Sequence, residues 1–293
     1  MQIGFIGLGN MGAPMAANLA AAGHTVHGFD PAGTTAAGVH PVTSAEAAVG
    51  GSEAVVTMLP DGGVLERVYA EIVPMATPGT LLLDCSTVDV AAAVAAHERG
   101  EAAGHRCADA PVSGGVGGAT AGTLTFMVGG SEAAYRGAAP LLDLMGQRRV
   151  HCGAGGTGQA AKICNNMLLG ISMIGTCEAF ALAAKLGLDA SRLFDVISAS
   201  SGSCWSVNTY CPVPGVGPTS PADADYQPGF AAELMLKDLG LSQDAAVQVD
   251  AATPLGAHAR QLYQCFVDAQ GTGRDFSAMF EALSAGKRSD FDA

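Results

Sequence analysis

Apolar and polar positions along this chain fall into two regimes. Up to about residue 155, short strand-like runs at 2–6, 25–29, 54–59, 81–84, 106–110, 124–128 and 149–152 alternate with longer helix-like stretches, notably 13–22, 64–71, an alanine-rich one ending at Arg99, and 132–145. Strands and helices in alternation predict a parallel sheet with helices on its faces. Beyond residue 158 the strand signal vanishes, and helices are expected over 158–187, 191–198, 230–248, 254–269 and 277–283. Residues 200–206 read as a polar loop, and 211–228, with five prolines, as an ordered excursion between apolar helices. The expected architecture is therefore an α/β Rossmann-type, doubly wound domain over 1–157 and an all-α domain over 158–293. One long helix of about 30 residues, about 45 Å, joins them, and a cleft between the domains is the expected place for a small substrate.

Composition narrows the function. The 293 residues are 49% hydrophobic, and 14 basic against 27 acidic side chains give a net charge of −13. A nucleic-acid or anionic-membrane partner would call for a basic patch, and the only adjacent basic pairs, Arg148-Arg149 and Lys287-Arg288, read as solvated surface. Eight cysteines are scattered without a Cys-x-x-Cys pair, so reduced, mostly buried thiols and no metal cluster are expected. Met1 leads directly into the first strand, which predicts no secretory or transit segment and a cytoplasmic location. Residues 167–184 are apolar enough to imitate a membrane span, but Glu178 and the preceding Asn165 and Asn166 make a core helix the better assignment.

Candidate chemistry begins at Gly7-Leu8-Gly9-Asn10-Met11-Gly12, between the first strand and first helix. Glycines there let the backbone turn tightly and approach a pyrophosphate at a helix N-terminus. Asp30, at the end of the second strand, would accept the adenosine ribose hydroxyls. No lysine or arginine precedes Arg67, so a 2′-phosphate beside Asp30 would meet like charge unrelieved, and NAD is expected over NADP. Leu59, Pro60 and Thr87, at later strand ends, should border the nicotinamide side.

Two further stretches carry polar groups. Pro111-Val112-Ser113-Gly114-Gly115-Val116-Gly117-Gly118 is a glycine-rich loop whose backbone N–H groups and hydroxyl suit a carboxylate or phosphate. Gly155 and Gly156 lead through Thr157, a candidate N-cap, into an apolar helix bearing Lys162 and, one turn on, Asn166. A lysine with so little solvated surface around it is a candidate proton carrier. Lys237, beside Asp238, reads equally as half of an exposed charge pair, and Trp205, the only tryptophan, lies in the polar loop.

The blocks at 7–14 (GLGNMGAP), 109–118 (DAPVSGGVGG) with Gly122-Thr123-Leu124, 158–166 (GQAAKICNN) and 237–244 (KDLGLSQD) resemble the four signature blocks of the β-hydroxyacid dehydrogenase family. Two more segments, 202–205 and 210–216, resemble those members that oxidise 3-hydroxyisobutyrate. The resemblance implies Lys162 as catalytic acid/base and Asn166 as a catalytic and substrate-holding residue. It implies Ser113, Gly114 and Gly115 as the carboxylate loop, and Lys237 as a residue near both nicotinamide and substrate. Trp205 is counted with the substrate contacts and Phe230 with the cofactor contacts. It further implies a small hydroxy-carboxylate substrate, NAD as hydride acceptor, no metal, and a homodimer or homotetramer assembled through the helical domain. A tartronate semialdehyde or glyoxylate-type reductase shares the four blocks and stays open as an alternative. From another class, so does a non-catalytic dinucleotide-binding regulatory module.

Overall fold

The structure is a computed structural model that describes residues 1–286, and the chain divides into two compact units, residues 1–162 and residue 163 onward. The Lys287-Arg288 pair lies outside the described residues. In the first unit, strands β1 (Gln2–Ile6), β2 (Thr25–Phe29), β3 (His40–Pro41), β4 (Ala54–Thr57), β5 (Leu81–Asp84), β6 (Arg106–Asp109), β7 (Val112–Ser113), β8 (Leu124–Gly130) and β9 (Gly146–Gly153) form one sheet. Its order is β3-β2-β1-β4-β5-β6-β8-β7, with β9 paired to β8. The first six strands run parallel, β8 runs antiparallel to β6 and β7, and β9 runs parallel to β8. Helices α1 (Gly12–Ala21), α2 (Ala45–Val49), α3 (Gly62–Ile72), α4 (Val90–Ala102), α5 (Gly115–Ala121) and α6 (Glu132–Met145) cover it.

The period of two decides which side chain faces which layer. Ile3, Phe5, Ala54, Val56, Leu81 and Leu83 join the core with Met15, Leu19 and Leu141, whereas Ile6, Val55 and Leu82 join the opposite core with Leu65 and Ile72. Every residue of β4 and β5 is buried, as strands covered on both faces require. Strand order reverses between β1 and β4, and in such sheets ligands bind beyond the strand ends at that reversal.

Several elements differ from the sequence expectation. β3 and α2 occupy a stretch where no element was expected, since two and five residues are too few to show a period. The glycine-rich stretch after Ser113 is not a loop throughout: residues 115–121 form α5, entered through Gly114 at φ 134° and Gly115 at φ 61°. Both glycines hold backbone that a side chain would strain.

Helix α7 (Thr157–Lys185) links the units, and its start also departs from expectation. Thr157 is not the cap; its hydroxyl donates to the Ala154 carbonyl at 2.7 Å. The capping carboxylate is Asp109, from the end of β6, whose Oδ1 accepts from Gly156 N and Oδ2 from Gln159 N, both at 2.8 Å. By length and composition α7 could cross a membrane, yet its Met173 and Cys177 have no exposed surface and belong to the core of the second unit.

That unit comprises α8 (Ala190–Ser198), α9 (Trp205–Asn208), α10 (Ala232–Gln248), α11 (Pro254–Phe266) and α12 (Met279–Ala285) besides α7. Tyr263, Phe276, Met235 and Leu239 centre its core. Trp205 opens a short helix rather than lying in a loop, and Phe230 stands ahead of α10. The proline-rich excursion is ordered by Ser220 Oγ on Cys211 O and Tyr226 Oη on Pro212 O, at 2.7 and 2.8 Å. All eight cysteines are free, and four of them are buried, whereas Cys164 and Cys265 are exposed. "Mostly buried" therefore overstated them, because apolar side chains on a helix need not all face inward.

Asp109→Ala leaves two buried helix N–H groups without their acceptor. Urea unfolding should show a loss of about 2–4 kcal/mol, the range expected for charge-assisted helix-capping bonds; a loss below about 0.5 kcal/mol would contradict this role for Asp109.

Candidate active site

The turn after β1 is shaped by its glycines. Gly7 (φ 95°) donates to Phe29 O at 2.9 Å, and a Cβ there would strike the Met58 carbonyl. A Cβ on Gly12 would strike the Gly7 carbonyl, whereas Gly9 faces open space. Leu8 is buried, Asn10 exposed and Met11 intermediate. Leu8 N donates to Asp30 Oδ2 and Ala32 N to Asp30 Oδ1, both at 2.8 Å. Two backbone bonds thus fix the Asp30 carboxylate, and each oxygen keeps acceptor capacity for a hydroxyl. The residues present fit a dinucleotide.

Across the neighbouring strand ends lies a buried polar row. Thr57, Asp84 and Asp109 are paired in register on β4, β5 and β6. Asp84 Oδ1 accepts from Thr57 Oγ1 at 2.7 Å and Ser86 Oγ at 2.6 Å, and Ser86 Oγ in turn accepts from Leu59 N at 2.8 Å. Asp84 Oδ2 is buried and unpartnered. Burial pushes the Asp84 carboxyl up from 3.8 to about 6; the Ser86 and Thr57 hydrogen bonds oppose the rise, and the Asp109 charge adds to it. Gln159, fully buried, accepts from Val88 N at 3.2 Å and donates to Ser86 O at 2.8 Å. The segments carrying Leu59 with Pro60, and Thr87, are therefore tied to one network.

Lys162 lies in the second turn of α7 and is only 7% exposed. Asn166, one turn on, is buried; its Nδ2 donates to Asp238 Oδ2 at 2.5 Å and its Oδ1 accepts from Asn165 Nδ2 at 2.9 Å. Asp238 is itself buried in α10, next to the half-buried Lys237. The exposed-pair reading of Lys237 and Asp238 therefore fails for Asp238. Trp205 is 48% exposed and stacks on Tyr210 with ring centroids 4.7 Å apart. Tyr210 Oη donates to Asp275 Oδ2 at 2.9 Å, and the same oxygen accepts from Phe230 N at 3.0 Å. Trp205 thus presents a ring rather than filling a core.

Hydrogen bonds group these residues into sets: Leu8 with Asp30; Leu59 with the segment flanking Thr87; Asn166 with Asp238, the neighbour of Lys237; and Phe230 with the Tyr210 that carries Trp205. Ser113 and Gly115 are partly exposed and Gly114 exposed, at the edge formed by β7 and α5. Sequence reasoning missed Asp84, Ser86, Gln159 and Asp238. Gln159 left one signal, a long polar side chain opening an otherwise apolar helix.

Residues 2–155 match the family model for the NAD binding domain of 6-phosphogluconate dehydrogenase. Residues 156–283 match the model described as NAD-binding of NADP-dependent 3-hydroxyisobutyrate dehydrogenase. The Mycobacterium tuberculosis 3-hydroxyisobutyrate dehydrogenase, solved with L-serine, is 52% identical with a TM-score of 0.93 over 97% of this chain and 99% of that one. A 3-hydroxyisobutyrate dehydrogenase of Pseudomonas aeruginosa is 47% identical over 98% of this chain and 99% of its own. The NAD-dependent L-serine dehydrogenase of the same organism is 46% identical over 95% and 96%.

Asp84 generates a pH-dependent prediction. Its carboxyl binds a proton more tightly folded than unfolded, so the stability it contributes is complete below 3.8 and is lost as pH rises through about 6. A shift of that size amounts to about 3 kcal/mol. Asp84→Asn cannot titrate, so urea unfolding across pH 4–7 should show the variant gaining on the natural chain as pH rises; parallel curves would contradict the assignment.

Proposed function

Because the chain belongs to the 3-hydroxyisobutyrate dehydrogenase family of NAD-dependent dehydrogenases, we propose that it oxidises the primary alcohol of 3-hydroxyisobutyrate to methylmalonate semialdehyde, a step of valine breakdown. The observation that carries this reading is Lys162, buried on an apolar helix with the carboxamide of Asn166 one turn away. Bound NAD supplies the hydride acceptor.

In this reading the Ser113 hydroxyl and the Gly114 and Gly115 backbone N–H groups hold the substrate carboxylate. Lys162, neutral at that moment, takes the hydroxyl proton as the carbinol carbon gives up its hydrogen with the bonding pair. The resulting ammonium stabilises developing alkoxide character. Asn166, one of whose amide hydrogens is committed to Asp238, offers the other to the substrate. Lys237 and Trp205 add substrate contacts. Gly7, Leu8, Gly9, Asn10, Met11 and Gly12 carry the pyrophosphate, Asp30 the ribose, and Leu59, Pro60, Thr87, Phe230 and Lys237 the nicotinamide end. Asp30, pinned as an acceptor by Leu8 and Ala32, favours NAD over NADP because a 2′-phosphate would meet its charge. Assembly as a homodimer or homotetramer in the cytoplasm belongs to the same proposal.

A second substrate is favoured by specific observations: one relative is named an L-serine dehydrogenase, and the solved relative contains L-serine. L-Serine presents the same carboxylate and primary alcohol, with an amino group where 3-hydroxyisobutyrate has a methyl.

Initial NADH formation should be fastest with 3-hydroxyisobutyrate and NAD, slower with L-serine, and slowest with glycerate, 6-phosphogluconate or NADP as replacements. Glycerate or 6-phosphogluconate in first place would overturn the substrate, and no turnover with any would overturn the enzyme. Lys162→Ala should keep its far-UV circular dichroism and lose about 10²–10⁴-fold in kcat, the range for a general base. Oxidation by the natural chain should speed up with pH over pH 7–10, and a flat profile with chemistry rate-limiting would remove Lys162 from the role.

A further inference from the structure

Gln159 has no part in the chemistry just described, yet it is the most deeply buried polar side chain of the α7 N-terminus, with no exposed surface. A carboxamide removed from water is costly unless both its ends are bonded, and here both are. Oε1 accepts from Val88 N at 3.2 Å and Nε2 donates to Ser86 O at 2.8 Å. These two groups flank Thr87, and a single amide that bonds the carbonyl before a residue and the N–H after it repeats what a residue of a parallel strand does to its neighbour. Ser86, so held, fixes Leu59 N through its hydroxyl and is anchored to Asp84. On the helix side the Gln159 backbone N–H is bonded to Asp109 Oδ2 at 2.8 Å. Lys162 follows three residues later, about 60° round the helix and about 4.5 Å along it. All of these residues belong to one unit.

We propose that Gln159 is a positioning residue: its carboxamide clamps the backbone on both sides of Thr87 and so holds the segment bordering the nicotinamide in register with the turn of α7 that carries Lys162. The inference deepens the dehydrogenase reading and rests on it. A clamp of this kind acts on the relative placement of hydride acceptor and proton acceptor, so its loss slows the chemical step more than it weakens substrate binding.

The test uses Gln159→Met, which keeps the length without hydrogen bonds, and Gln159→Asn, which is too short to span both partners. Amide exchange of the peptide covering residues 84–90 is measured together with kcat, KM and the primary deuterium isotope effect at saturating NAD. Exchange should accelerate at least tenfold and kcat should fall ten- to a hundredfold, with the hydroxy-acid KM changed less than threefold and the isotope effect increased. The same substitutions placed on Lys162→Ala should cost less than threefold in the residual rate. Unchanged exchange, or activity lost only in proportion to the folded fraction with an unchanged isotope effect, overturns the proposal. Failure of both variants to fold also overturns it, by assigning Gln159 to folding alone. If the natural chain turns over no hydroxy acid, the dehydrogenase reading fails, and exchange at 84–90 still decides whether the clamp exists.

Discussion

The placement of the Asp109 carboxylate under the first turn of α7 is the constraint on which the candidate site depends. A carboxylate only 1% exposed is expensive to bury. The cost is offset by charge-assisted bonds from Gly156 N and Gln159 N and by the positive end of a 29-residue helix. The approach is so close that a Cβ on Gly158 would strike Met127 O, and one on Gly155 would run into the His97 ring. With the helix fixed this way, the phase of every later residue follows from 3.6 residues per turn. Lys162 is buried because of where the helix starts.

The second unit repeats the device. Asp275, with no exposed surface, accepts from Gly229 N, Phe230 N, Tyr210 Oη, Ser277 N and Ser277 Oγ. One oxygen thereby holds Phe230 and the tyrosine on which Trp205 stacks, two positions far apart in sequence. In both units a buried carboxylate converts irregular backbone into a rigid mount for side chains that the proposed reaction uses. Lost hydrogen bonds there would leave buried N–H groups unsatisfied, which is why such sites tolerate little change.

Legibility in the sequence followed the range of the interaction. Strand β1, helix α6 and the bounds of β2 and β5 are legible because a period of two or 3.6 residues and the adjoining glycines are local signals. The fingerprint turn is legible for the same reason. β3 and α2 are too short to carry a period. The glycines after Ser113 read as loop by propensity, and only tertiary packing shows that residues 115–121 are helical. The true cap of α7 lies 47 residues upstream of Gly156, beyond any local pattern, whereas Thr157 stands in the right place for a cap and serves another carbonyl. Asp238 looked like half of a surface pair because adjacency in sequence says nothing about which of two helical neighbours points inward.

Family membership gives a nicotinamide-dependent dehydrogenase; in the proposed reaction the chain's own residues supply carboxylate recognition and proton transfer. The central claim is that Lys162 meets the substrate hydroxyl. It is tested most directly by solving the structure of the chain with NADH and L-serine bound. The account predicts Lys162 Nζ within about 2.6–3.2 Å of the serine hydroxyl oxygen, with the carboxylate against Ser113, Gly114 and Gly115. A hydroxyl directed at another side chain, with Lys162 Nζ remote from it, would contradict the account.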